Sequence, residues 1–261
     1  MFTHMPEHFL HTSFAGLSYW DWAIAISAVF LAGCVRGFAG FGLSAVAMAC
    51  LVLILPPIEL IPTLYVLEGA ASFFMVKGGI RDADMKHVWP LVIGSFLGLP
   101  FGLWVTTSVP SDVSKIIAVL LILTLTLFQF SRSMPPALAT TAGRYATGLF
   151  AGVVSGLAGV GGMVVALYVL ASRKPAPQMR AALTMFLTIG MFTSLAYMVM
   201  YHMMTQETLL RGVILSPVAV AGVLLGTWAF NPRLQVYYRR FCLILLTTIC
   251  ALSLTRLMLG A

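Results

Sequence analysis

The chain predicts an all-α polytopic membrane protein made of two inverted repeats, each a glycine-broken re-entrant helical hairpin followed by three transmembrane helices. Three observations carry this. The 261 residues are 60% hydrophobic and 9% charged, with a mean hydropathy of +0.99, whereas soluble domains carry roughly 25% charged residues. Apolar stretches long enough for a hydrocarbon core of ~30 Å recur along the chain. A glycine pattern in the first half returns in the second.

Residues 1–19 read as an N-terminal extracytoplasmic or interfacial segment. They hold no Lys or Arg and so lack the basic n-region of a cleaved signal peptide. His4, Glu7, His8 and His11 would share one face of a helix there. Interfacial histidines are the commoner account of such a set, and no second motif supports a metal site.

The first repeat, 20–131, opens with an apolar segment over 20–55. As one straight helix it would measure ~54 Å at 1.5 Å per residue, far beyond the core. Its middle carries Gly33, Gly37, Gly40 and Gly42 around Arg36, so it is expected to break there and return. Runs bounded by charge, Pro or Gly then place spans near 58–77, 88–108 and 112–131. A cytoplasmic linker, 132–142, leads to the second repeat, 143–261. Its opening segment, 143–172, carries Gly152, Gly156, Gly159, Gly161 and Gly162. Further spans are expected near 178–203, 209–230 and 237–259.

At an offset of 119, Gly33, Gly37, Gly40 and Gly42 fall on Gly152, Gly156, Gly159 and Gly161. Farther on, Gly98, Gly102 and Trp104 match Gly222, Gly226 and Trp228 at an offset of 124. Internal repeats of this kind are characteristic of secondary transporters.

Charge sets the orientation. With eight simple spans, the loops divide fourteen Lys and Arg seven against seven, which gives no positive-inside bias. With each glycine segment folded back on itself, one side collects eleven and the other keeps only Lys115, Arg211 and Arg256. Each copy then crosses an odd number of times, so the copies face opposite ways. Both termini are expected outside, with the charged loops in the cytoplasm.

Backbone breaks at membrane depth survive only where they are buried in protein or line a cavity. After each break a half-helix begins, near 42–54 and 161–171. Its first N–H groups lack partners, and the helix dipole puts partial positive charge at that end. Two such ends meeting near the midplane make an anion site, to which Arg36 adds a full charge. Close helix packing is the alternative role for such glycines, and it suits Gly94, Gly98 and Gly102, four apart on one helix. Glu68, in the middle of its span, either carries a coupling proton or pairs with Arg36. Arg180 is placed to reach the site or to snorkel to the cytoplasmic surface. Thr63, Ser72, Thr184, Thr188 and Ser194 either line a path or bond neighbouring helices.

Other classes fit poorly. The net charge of +7 is spread singly between apolar runs rather than gathered on one face as nucleic-acid binding requires. Cys34, Cys50, Cys242 and Cys250 form no CxxC pair. The spans offer no Cys/His pair, carboxylate dyad or metal cluster for an enzyme.

At these residues the sequence resembles the sulfite exporter family of TauE/SafE type, also called toluene-sulfonate uptake permeases. The resemblance covers about 22–258. It rests on Arg36-Gly37-Phe38-Ala39-Gly40-Phe41-Gly42, on Pro57 through Pro62, and on Gly156-Leu157-Ala158-Gly159-Val160-Gly161-Gly162. Met163 stands where a third glycine is commoner, and the proline often found beyond each motif is absent. The resemblance implies an inner-membrane transporter of sulfite, sulfoacetate, sulfonates or related anions. Substrate contact is expected at Arg36, Gly37, Gly40, Gly42, Gly156, Gly159, Gly161, Gly162 and Arg180, with coupling at Glu68.

The expected partners are a small anion, the lipid bilayer, a proton as coupling ion and, as an open alternative, a second copy of the chain. No cofactor, metal or nucleic acid is called for. A passive anion channel, a carrier of non-sulfur organic anions and a membrane assembly factor are the rivals.

Overall fold

The computed structural model describes residues 14–131, 140–171, 176–229 and 235–259. The histidine set at 4–11 and most of the linker at 132–142 lie outside them. Among the described residues there are ten helices and no strand. They are α1 (Tyr19–Ala39), α2 (Leu43–Leu51), α3 (Pro57–Asp82), α4 (Met85–Ser108), α5 (Ser111–Ser131), α6 (Thr141–Ala158), α7 (Gly161–Ala171), α8 (Ala176–Met200), α9 (Gln206–Trp228) and α10 (Gln235–Leu259). Seven are long and apolar enough to cross a membrane: α1, α3, α4, α5, α8, α9 and α10. Helix α6, of 18 residues with Arg144 in its first turn, falls outside that set.

Helix starts follow local chemistry. Ser18 and Asp21 form a capping box on α1, which satisfies two of the four orphan N–H groups at that end. Thr140 caps α6 through the Gly143 N–H (3.0 Å), and Thr205 caps α9 through that of Thr208 (3.2 Å). Pro57 opens α3, where a missing N–H costs nothing.

Helix direction is fixed by which ends meet. Arg211, in the first turns of α9, donates to the Ala15 carbonyl just before α1 (2.7 Å) and to Glu59 in the first turn of α3 (2.6 Å). Thr63 on α3 donates to the Thr208 carbonyl on α9 (3.3 Å). Helices α1, α3 and α9 therefore start at one end of the bundle, so the chain has returned to that end after α1 and α2. At the other end α4 and α6 start side by side, with Gly148 against Leu91 and Gly94 against Tyr145. Helix α8 runs with α4: the Phe96 and Tyr197 rings are 5.1 Å apart, and the Tyr201 hydroxyl donates to the Pro100 carbonyl (3.3 Å). The chain has again returned to its starting end after α6 and α7. Helices α3 and α8 cross in opposite senses, since Tyr65 meets Ser194 while Gly69 meets Met191.

Two glycine seams hold helices of different halves together. Gly33 and Gly37 of α1 lie on Gly222 and Gly226 of α9. Gly94, Gly98 and Gly102 of α4 lie on Gly148, Gly152 and Gly156 of α6. At each of these positions an added Cβ would run into the partner's backbone. Lipid tails are as apolar as Leu, so such close backbone approach is what drives association in a bilayer. The large exposed side chains, among them Phe73, Phe101, Trp104 and Trp228, ring the outside, as a lipid-facing surface requires.

Candidate anion site at the paired helix breaks

The first break is built on two left-handed glycines. Gly40 (φ +81) ends α1, its N–H reaching the Arg36 carbonyl at 2.8 Å, and Gly42 (φ +97) precedes α2. Any other residue there would cost roughly 1–2 kcal/mol per position. Gly42 offers α2 no side-chain cap, so the first N–H groups of α2 need another acceptor. Glu68 of α3 supplies it. Its Oε1 accepts from the Ser44 N–H (3.3 Å) and from the Ser44 hydroxyl (2.8 Å).

The other carboxylate oxygen, Oε2, faces Nε of Arg36 at 3.4 Å. Arg36 is wholly buried. Its terminal nitrogens donate to the Gly40 carbonyl (2.9 Å) and to the Ser72 hydroxyl (3.0 Å). Desolvating such ions costs several kcal/mol each, and pairing with full hydrogen bonding is what makes them tolerable.

Arg180 arrives from α8, in the other half. Its Nη2 donates to the Gly37 carbonyl at 2.7 Å, a group with no helical partner because α1 ends beyond it. Its stem runs beside Gly40, where an added Cβ would stand 3.2 Å from the Arg180 Cγ. Arg36 and Arg180 lie within electrostatic reach of each other. The surface-snorkelling alternative for Arg180 does not describe this contact.

The second break repeats the backbone without the charge. Gly159 (φ +69) ends α6, its N–H on the Ser155 carbonyl at 2.8 Å. Gly161 opens α7 with the Ser155 hydroxyl and the Ala151 carbonyl where a Cβ would be, and Gly162 meets Leu187. The Gly156 carbonyl, equivalent to that of Gly37, accepts from the Thr106 hydroxyl at 2.8 Å. At the offset of 119, Arg36 becomes Ser155, Ser44 becomes Met163 and Glu68 becomes Leu187. Tyr65, one turn before Glu68 on α3, sets its hydroxyl beside Ser155 and Ser194. Helix α3 thus runs past both breaks.

The structure brings Arg36, Gly40, Gly42, Glu68 and Arg180 together, and gathers Gly159, Gly161 and Gly162 at the other break. Gly37 and Gly156 are spent elsewhere, on the seams with α9 and α4; only their carbonyls turn to the breaks. Ser72 and Ser194 join the two clusters, whereas Thr63 and Thr188 bond helix carbonyls. Ser44, Tyr65 and Ser155 were not singled out from the sequence. The repeat register held the signal for Ser155, because it names the counterpart of Arg36. From the shared end the site is ~25 Å along α1, at Arg36, and ~16 Å along α3, at Glu68.

Seven helices able to cross a bilayer among the described residues, packed around two glycine breaks of which the first holds the buried Arg36, define a polytopic membrane protein. The profile of the sulfite exporter TauE/SafE family matches residues 25–254, and the chain belongs to that family. No match was found among curated proteins or among solved structures.

Proposed function

We propose that the protein is a secondary transporter of a small sulfur-containing anion, such as sulfite, sulfoacetate or another sulfonate, working by alternating access. The observation that carries this is the meeting of Arg36, Arg180 and the α2 N-terminus at one buried break in a chain of this family. Arg36 is balanced by Glu68, and Arg180 and the N-terminal dipoles of α2 and α7 add positive potential at the breaks. The reading treats the halves as inverted repeats. The opposite senses of α3 and α8 support this, as does the exchange of seam partners, α1 with α9 and α6 with α4.

In this reading the end where α1, α3 and α9 start faces outward, carrying Asp21, Glu59 and Glu207. The end with Lys86 and Arg144 faces the cytoplasm of a bacterial cell. The proton is the coupling ion, and a homo-oligomer is compatible with the lipid-facing surface.

Thermal denaturation of the purified protein with sulfite, sulfoacetate, taurine, an aryl sulfonate, thiosulfate and simple carboxylates tests this. A ligand at 100 times its Kd stabilises by ~2.7 kcal/mol. The expected result is stabilisation by one sulfur anion that is lost in Arg180→Ala. Stabilisation by carboxylates alone would move the substrate class, and non-saturating flux in vesicles would point to a channel.

A further inference from the structure

Resting on the transport reading, we infer that Glu68 is a built-in competitor for the substrate. Its ionised carboxylate fills the anion seat of the first break, and the transported anion takes that seat only as Glu68 accepts a proton. The seat is the set of donors that converge on one carboxylate: the Ser44 N–H and hydroxyl at the start of α2, and Nε of Arg36.

The carboxylate fills this seat imperfectly. Arg36 Nε makes no hydrogen bond, and neither does Glu68 Oε2; they meet only as an ion pair at 3.4 Å. Arg36, Ser44 and Glu68 are all at least nine-tenths buried, so this cation is aimed into the seat without a close acceptor. A sulfonate or sulfite presents three oxygens where a carboxylate presents two, and so can engage both Ser44 donors and Nε together.

Two anions cannot share these donors, because like charges a few ångströms apart repel strongly in a poorly solvated site. Protonation resolves the conflict. The carboxylate gains a proton from solvent, loses its attraction to Arg36 and leaves the seat. When the anion departs, the proton is released and the carboxylate returns. Each anion therefore moves with one proton, and a seat holding neither substrate nor carboxylate is never exposed to the membrane.

The groups facing Glu68 are Arg36 from α1, Ser44 from α2 and, one turn away on α3 itself, Tyr65; Arg180 from α8 acts on Arg36. The other helices packed against α3 carry further charges. Arg211 of α9 pairs with Glu59 and Glu207, and Lys115 of α5 pairs with Asp112. Lys86 and Arg144 stand in the first turns of α4 and α6.

The test uses the full chain in lipid nanodiscs, titrated calorimetrically with an aryl sulfonate, whose own charge does not change from mildly acid to mildly alkaline pH. For the native protein, Kd should rise by up to about tenfold per pH unit toward alkaline pH. Runs in two buffers of different protonation enthalpy should show uptake of one proton per anion. Glu68→Gln keeps an acceptor for Ser44 but carries no charge, so its Kd should be independent of pH and tightest relative to the native protein in alkali. Glu68→Asp should restore proton uptake, which keeps the comparison decisive if the glutamine variant folds poorly. Binding to the native protein without proton uptake, or an unchanged pH slope in Glu68→Gln, overturns the exchange and leaves the transport reading standing. Failure of native and Glu68→Gln proteins alike to bind any anion of the panel overturns the seat together with the sulfur-anion reading.

Discussion

The two breaks share a backbone and differ in chemistry. Each ends a helix on a left-handed glycine whose N–H returns to the carbonyl four residues earlier, and each exposes an orphan carbonyl to a donor from the opposite half. At the first break that donor is a guanidinium, and the site is tied by Arg36, Glu68 and Ser44. At the second it is a hydroxyl, with Ser155, Met163 and Leu187 in the equivalent places. No Asp or Glu occurs between Asp112 and Glu207, so no acid from that stretch can cap α7. The two halves thus share the backbone geometry of the break, and the buried ion pair belongs to the first alone.

The comparison can be broken by substitution. Arg36→Ala should cost the most, ~3–5 kcal/mol, because it strands a buried carboxylate. A thermal melt should show it, and Arg36→Met with Glu68→Leu should recover most of the loss without restoring anion binding. An apolar double variant that still binds the anion would refute a role for the charge at this break.

Gly161→Ala should follow, at ~1–3 kcal/mol, since the new methyl meets the Ala151 carbonyl as well as a side chain. Ser155→Ala removes one hydroxyl facing Tyr65 and should cost only ~1 kcal/mol. If it cost as much as Arg36→Ala, the second break would be as demanding as the first. The smallest effect has the opposite sign: Gly190 has nothing within 4 Å of a built Cβ. Gly190→Ala should stabilise α8 by ~0.5–1 kcal/mol with binding unchanged; a loss would mean that α8 bends or closes there during transport.

Much of this was legible in the residues. Hydropathy places the helices because the bilayer dictates their length: spans expected at 88–108, 112–131 and 178–203 are helices at Met85–Ser108, Ser111–Ser131 and Ala176–Met200. The glycine register finds the breaks, since left-handed dihedrals admit little else. Spacing does not say what each glycine touches. Gly37 and Gly40 belong to one motif, yet the first packs on Gly226 and the second turns the chain.

Arg211 was read as a loop charge because it stands near a helix start. The fold instead buries it between Ala15, Glu59 and Glu207. Only the Glu207–Arg211 spacing, one helical turn, hinted at this. The pairing of Glu68 with Arg36 was one of two alternatives, and no local pattern in the sequence chooses between them.

The glycine seams have a consequence for how the chain enters the membrane. Helix α1 emerges long before its partner, because the surface that fits Gly33 and Gly37 lies at Gly222 and Gly226 of α9, about 190 residues later. Until then the grooved face of α1 has only lipid or a chaperone against it, and Arg36 at the end of that helix awaits Glu68 of α3. The partner of α4, in contrast, is α6, which follows after one intervening helix. Early insertion is thus a more exposed step for α1 than for α4. Two separately expressed halves should accumulate poorly apart and assemble when made together, because each supplies the groove that the other lacks.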